Sequence, residues 1–312
     1  MIDVTKAKRR IDEIQEKVNK PSERAVLVTE REVPFVVSRG MEAEGIKYGF
    51  STRLGGVSKG IYESMNLGLK LSDERENVIE NYRRFSKALE IDFRKISCPD
   101  QLHNANVSVV TGEHAGCGII NELKNHNADA QITNVRGIPL IVYSADCVPI
   151  LLADPVKGAI GSIHAGWRGT VAEIAALTVM KMQEVYGCDP GNIRAVIGPS
   201  IGPDNYEVDD KVINELKKCK YIDLTDCEDV TGPVVRQEEG EKIYTLYRTV
   251  KEKNKYMLDL WSINELILYK AGLKTDNIHN MKLCTMDNPD IFFSHRFTGG
   301  KRGLNAGIIS LT

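Results

Sequence analysis

One stretch, SADCVPILLADPVKGAIGSIHAGWRGTV at residues 144–171, holds most of the side chains in this chain that could do chemistry. Asp146 and Cys147 stand just before one apolar run, and His164 closes the next. If the two runs are neighbouring strands, Cys147 and His164 can meet despite the 17 residues between them. A thiol beside an imidazole permits two chemistries. The pair can hold zinc, a borderline-soft ion that accepts both thiolate and imidazole. Alternatively, Cys147 is a nucleophile and His164 its base. The spacing matches no short zinc template, so spacing alone leaves both open, beside the bland reading of a packing thiol and a hydrogen-bonded core histidine.

Upstream, CPDQLHNANV (98–107) places Gln101 and His103 on one face if that segment is extended. His103 would be a third potential ligand, and three protein ligands leave the open position of a catalytic zinc site. HAGWRG (164–169) sits between a strand and a helix expected to begin near Thr170. The free N–H groups of a first helical turn and the planar fork of Arg168 suit phosphate, and Gly166 and Gly169 allow close approach. The competing reading pairs Arg168 with a surface carboxylate. Arg53 and Asn66 in GFSTRLGGVSKGIYESMNLGLK (49–70), and His295 with Arg296 in FFSHRFTGGKRG (292–303), lie on loops where substrate binding and plain exposure compete. His114, His126 and His279 have polar surroundings and read as surface histidines.

The elements that must position these groups are those of an ordinary globular chain. With 312 residues, 42% hydrophobic and 27% charged, there is material for one large domain or two small ones. A net charge of -2 offers no basic surplus for nucleic acid or anionic membrane. No apolar run approaches the roughly 18 residues of a membrane span, and the N-terminus lacks the apolar core of a secretory signal. Seven scattered cysteines without a C-x-x-C pair point to free thiols and a reducing, cytoplasmic setting.

Val4, Ala7, Ile11, Ile14 and Val18 draw one apolar stripe along an amphipathic helix over residues 2–19, ended by Pro21. The stripe can dock on its own domain or, keeping an a/d rhythm, on a second copy in a homodimer. Residues 1–25 thus form a helical extension to a single domain over 26–312. VSVV (107–110), LIVY (140–143), VPILLA (148–153), GAIGSI (158–163) and IRAVIG (193–198) read as buried strands. A helix is expected from about Thr170 to Tyr186, with Val171, Ile174, Ala175, Thr178, Met182 and Val185 inward, and another from about Asp259 to Lys270. The alternation predicts a layered α/β or α+β domain. Residues 217–256 are polar and poorly periodic, and read as a solvated excursion at the edge.

FSTRLGG, DQLH, DAQIT, SADCVPILLADP, IHAGWRGTV, IGPSIGPDNYEV, DLWSIN, CT and FFSHR occur in an order that resembles the laccase-domain family, from about residue 47 to 312. That family was first labelled multicopper polyphenol oxidoreductase, includes the peptidoglycan editing factors, and is now described as purine nucleoside phosphorylase. The resemblance implies an α/β fold of the cysteine-hydrolase kind and a zinc ion held by two histidines and one cysteine, here His103, Cys147 and His164. It also implies phosphorolysis of adenosine, inosine, guanosine and methylthioadenosine, and deamination of adenosine. Where many relatives carry a cysteine before YEV, this chain has Asn205. On that basis phosphate is expected against Arg168 and Arg53, with Asp146 as proton shuttle and Gln101 orienting a ligand or the substrate. The rivals are a metal-independent Cys–His amidase, a non-catalytic cell-wall editing factor, and a copper oxidase, the last disfavoured because clustered H-x-H pairs are missing.

Overall fold

The structure, a computed structural model, describes residues 3–16, 24–122, 127–222, 234–239, 242–250 and 254–312. Helix α1 (Val4–Gln15) precedes strands β1 (Ala25–Val28), β2 (Phe35–Ser38) and β3 (Ile46–Ser51). Helix α2 (Arg75–Ala88) leads to β4 (Val107–Val109), β5 (Ala130–Thr133) and β6 (Leu140–Ser144). The hairpin of β7 (Val148–Asp154) and β8 (Ala159–Ala165) feeds α3 (Trp167–Val171) and α4 (Ile174–Tyr186). Next come β9 (Arg194–Ile197), β10 (Glu207–Asp209), α5 (Asp210–Leu216), β11 (Val234–Glu239), β12 (Lys242–Thr249) and β13 (Lys255–Leu258). Helix α6 (Leu260–Lys270), β14 (Ile278–Asn280), α7 (His295–Thr298) and β15 (Asn305–Leu311) complete the order.

An antiparallel sheet runs β1-β2-β3-β15-β6, and a mixed sheet runs β14-β9-β7-β8-β5-β4 with its outer pairs β14–β9 and β4–β5 parallel. β6 and β15 pack on β7 and β8, so the two sheets face each other across Phe50, Leu140, Val142, Leu151, Ile160 and Ile309. Helices α4 and α6 cover the other face of the mixed sheet, and Tyr82 and Phe85 of α2 cover the outer face of the first. β7 and β8 are therefore enclosed on both faces. All seven residues of each are buried, which is why their sequences are apolar without alternation. Their turn is closed by Asp154, whose Oδ1 accepts from the N–H groups of Val156 (2.9 Å) and Lys157 (3.0 Å), and by Gly158 at φ +59°.

Two expectations need correction. The helix from Thr170 to Tyr186 is two helices: it starts at Trp167, and Glu173 at φ +62° breaks it. The break rotates α4, so Ile174, Ala175, Thr178 and Met182 stay inward while Val185 is 40% exposed. Within 217–256, strands β11, β12 and β13 join β10 in a four-stranded sheet of order β10-β13-β12-β11. Tyr244, Leu246, Tyr247 and Leu258 are buried in the core that α6 helps form, so the described part of this stretch belongs to the packed body; its charges hid a strand pattern. Cys227 lies outside the described residues.

Helix α1 packs as the first reading of its stripe expects. Asp3 caps the helix by accepting from the Thr5 N–H. Ala7 and Ile11 are buried, Val4 and Ile14 pack beside them on the inter-sheet core, and Gln15 donates to the Met281 carbonyl and accepts from the Ala25 N–H. The described part of the apolar stripe is thus seated on its own chain, the first of its two readings. Val18 lies outside the described residues. Among the described residues no helix is long and apolar enough to cross a membrane.

Candidate metal centre and its cavity

The β7–β8 register sets Pro149 opposite His164 and Val148 opposite Ala165. Cys147, one residue before β7, therefore stands beside the end of β8, and His103 reaches both from the loop before β4. One donor atom from each of His103, Cys147 and His164 lies within 4.8 Å of the others. The two imidazoles meet edge to face, with centroids 4.7 Å apart. Gly166 makes room for this convergence: a Cβ there would lie 2.9 Å from Cys147 Sγ and 3.4 Å from His103 Cδ2.

Asp129 holds the two imidazoles in place. His164 is buried, and its Nδ1–H donates to Asp129 Oδ1 at 2.9 Å, which turns Nε2 toward the cluster. The same carboxylate accepts from the backbone N–H groups of His103 (2.9 Å) and Asn104 (2.7 Å). One imidazole is thus aimed through its ring and the other through its backbone. The loop is curled and not extended as expected: Gln101, His103 and Ala105 take left-handed φ angles of +50°, +61° and +59°. Gln101 consequently does not share a face with His103. Its side-chain amide donates to the Tyr143 carbonyl (2.9 Å) and accepts from the Tyr143 N–H (2.7 Å), stitching the loop to β6.

Burial disfavours a thiolate at Cys147, but the charge of His164 and hydrogen bonds from His103 and His164 prevail and bring its pKa down to about 6. Burial likewise opposes an imidazolium at His164, yet Cys147 and Asp129 push it up to about 9. Asp129 is held below the usual carboxylate range in spite of burial, by His164 and the two backbone donors. Cys98 and Cys188 differ: burial pushes both up to about 12. Two imidazoles, one readily ionised thiol and a carboxylate behind one imidazole are the donor chemistry that suits zinc.

The three donors form part of the wall of a cavity of about 540 Å³, with Gln101, Tyr143, Arg302 and Leu304 elsewhere on its lining. Its size is that of a small-molecule site. The remaining sequence candidates fall outside it. Asp146, at φ +91°, accepts from Thr285 Oγ1 through Oδ1 and from the Arg296 N–H through Oδ2, both at 2.6 Å. With both oxygens engaged and no place on the lining, Asp146 braces the turn before Cys147, and the shuttle role loses its footing. Arg53 donates to the carbonyls of Glu63 (2.9 and 2.6 Å) and Pro289 (2.8 Å) and lies over the Phe293 ring. Asn66 is buried; its amide donates to Asp73 (2.8 Å) and its oxygen accepts from the N–H groups of Gly68 (2.9 Å) and Leu304 (3.0 Å). Arg296 sits on the short helix α7, not on a loop, and donates to the Glu207 carbonyl. Arg53 and Asn66 tie coil segments together, and Arg296 ties α7 to strand β10.

Arg168 is exposed on α3 with its guanidinium 4.3 Å from the Trp167 ring centroid, and it does not line the cavity. His279, expected at the surface, is buried on β14 with its ring against Gly40, where a Cβ would clash at 2.2 Å. His114 is half-buried, its Nδ1 accepting from the Thr111 N–H, and His126 lies outside the described residues. Sequence reasoning assigned no role to Asp129, Tyr143 or Arg302. Asp129 opens the DAQIT motif, the one signal that could have found it.

A family model described as "Multi-copper polyphenol oxidoreductase laccase" matches residues 47–312. The chain is 34% identical over 267 residues to purine nucleoside phosphorylase YlmD of Bacillus subtilis, covering 84% of this chain and 87% of that protein. It is 32% identical over 266 residues to adenosine deaminase RL5 of an unknown prokaryotic organism, covering 85% and 92%. The crystal structure of Bacillus licheniformis hypothetical protein YfiH is similar with a TM-score of 0.77 at 29% identity, covering 95% of this chain and 98% of that one.

Proposed function

The chain belongs to the multi-copper polyphenol oxidoreductase laccase family, and from that premise we propose that it is a zinc-dependent purine nucleoside phosphorylase that also deaminates adenosine. The observation that carries this reading is the convergence of His103, Cys147 and His164 on the wall of a nucleoside-sized cavity. The names of its relatives, purine nucleoside phosphorylase and adenosine deaminase, supply the substrate class. Adenosine, inosine, guanosine and methylthioadenosine are its proposed substrates.

In phosphorolysis a phosphate oxygen bonds to the anomeric carbon while the bond to the purine nitrogen breaks. The electron pair leaves with the base, which takes up a proton. Positive character grows on the ribose and negative charge on the purine. The cavity walls hold the two reactants together and exclude water. Arg168, whose guanidinium has no described acceptor, stays a candidate for drawing phosphate to the entrance. Deamination exchanges the purine amino group for a water oxygen with release of ammonia, in the same cavity. Zinc, when held by His103, Cys147 and His164, supplies Lewis acidity at that wall. Asp129 keeps His164 in the tautomer that presents Nε2, and Gln101 keeps the His103 loop on β6.

The test is to incubate the purified protein with inosine or adenosine, with and without phosphate, and to measure bound zinc. The expected result is purine release from inosine only with phosphate, about one zinc per chain, and loss of both in Cys147→Ala. Purine release indifferent to phosphate, or full activity in zinc-free Cys147→Ala, overturns the reading. One observation favours a Cys–His hydrolase instead: a thiolate beside an imidazolium is also a nucleophile's pairing. His103, a second imidazole facing the same sulfur, is superfluous in that scheme.

A further inference from the structure

We propose that Arg302 holds the phosphate co-substrate inside the cavity. This rests on the phosphorolysis reading and names the residue that reading lacks, since Arg53 and Arg296 are spent on carbonyls and Arg168 lies off the lining.

Arg302 lines the same cavity as Cys147 and His164 and is within electrostatic reach of Asp146 and Cys147, though neither accepts a hydrogen bond from it. It is half-buried, and its Nε is shut off from solvent with no hydrogen-bond acceptor. Among the described residues no carboxylate or carbonyl accepts from its guanidinium. The other cations on the lining are occupied: Lys70 pairs with Asp100, and Arg75 donates to the Ile119 carbonyl at 2.8 Å. A dehydrated donor without an acceptor is costly unless a ligand supplies one. The planar guanidinium fork matches two oxygens of a phosphate, and charge-assisted bonds of that kind are strong where water is excluded.

The strap carrying Arg302 is fixed immediately after it. The Leu304 N–H donates to Asn66 Oδ1 (3.0 Å), and its carbonyl accepts from the Leu67 N–H (3.1 Å). Gly303 packs so tightly that a Cβ would lie 2.7 Å from the Phe293 ring. Asn66 thereby becomes a positioning residue for Arg302.

The experiment compares wild type with Arg302→Gln and Arg302→Lys, each zinc-loaded. In Arg302→Gln the KM for inorganic phosphate should rise about 10- to 100-fold, the loss of one charge-assisted pair, while the KM for inosine changes little. Arg302→Lys, which keeps the charge but not the fork, should recover part of the loss and covers the case in which Arg302→Gln fails to fold. Calorimetric titration with inorganic phosphate, no nucleoside present, should show binding to wild type and none to Arg302→Gln. If wild type cleaves inosine without phosphate, the phosphorylase reading fails while the titration still decides the site. Phosphate affinity unchanged in zinc-replete Arg302→Gln overturns the proposal, as does no phosphate binding by wild type. A KM rise confined to inosine, or tighter binding of ribose 5-phosphate than of inorganic phosphate, also overturns it.

Discussion

Replacing Asp129 by Asn tests the centre without touching a ligand. The Asp129 carboxylate accepts three bonds of 2.7–2.9 Å, from the His164 ring and from the backbone N–H groups of His103 and Asn104. Asparagine keeps one oxygen and presents an NH2 where the other stood, so at least one buried N–H faces a donor and the charge behind His164 is gone. Losing an outer carboxylate of this kind costs about 10- to 100-fold in metal affinity. That is roughly 1.4–2.7 kcal/mol, the same scale as about 1.5–3 kcal/mol for one hydrogen bond to a charged group. The assay is competition for zinc against a chromophoric chelator, with the thermal midpoint and phosphate-dependent purine release measured alongside. Zinc affinity within about twofold of wild type in a folded Asp129→Asn protein would refute the assignment of Asp129 as the group that aims both imidazoles.

Gly166→Ala places a Cβ 2.9 Å from Cys147 Sγ and 3.4 Å from His103 Cδ2; zinc content should fall and stability drop by about 1–3 kcal/mol, read by metal analysis and thermal melting. In the metal-free protein, alkylation of Cys147 should rise with pH through about 6 and level off, whereas Cys98 and Cys188, pushed up to about 12, stay inert at neutral pH. His164→Gln removes the neighbouring positive charge and should move that midpoint upward; an unmoved midpoint contradicts the pairing. Between about pH 6 and 9 the metal-free pair keeps one proton, on His164, which zinc must displace. Zinc affinity should therefore climb about tenfold per pH unit in that window and flatten above it, and a flat profile throughout contradicts the assignment. Arg168→Ala should raise the phosphate KM less than Arg302→Gln does, by steady-state kinetics.

Local pattern was a good guide where burial is complete or a cap is present. VPILLA and GAIGSI are apolar enough to announce enclosed strands, and Asp259 announces α6 by accepting from the Ser262 N–H. It failed where tertiary contacts override propensity. Nothing in VAEIAALT signals that Glu173 adopts φ +62° and splits a helix. The charges of 217–256 masked a strand whose alternate residues Tyr244 and Leu246 reach the core. His279 ends the largely polar stretch KTDNIH, yet it is buried with its ring against Gly40. Among the site candidates, residue type located Cys147, His164 and His103. The same reasoning overvalued Arg53, Asn66 and Arg296, because an arginine or asparagine on a loop looks alike whether it meets a ligand or a neighbouring carbonyl.

The sequence by itself singled out the three candidate donors, the two inner strands and the glycines that let backbone and side chains crowd together, since these depend on residue type and on short-range periodicity. Only the tertiary structure decided how the donors are aimed and, among the described residues, which cavity-lining cation is left without an acceptor. Asp129 is 35 residues from His164 and 26 from His103; a curled loop and an antiparallel register bring all three together. Arg302 differs from Arg53 only in what surrounds it, and a hydrogen bond spent or unspent is a property of packing between distant segments, which no local pattern encodes.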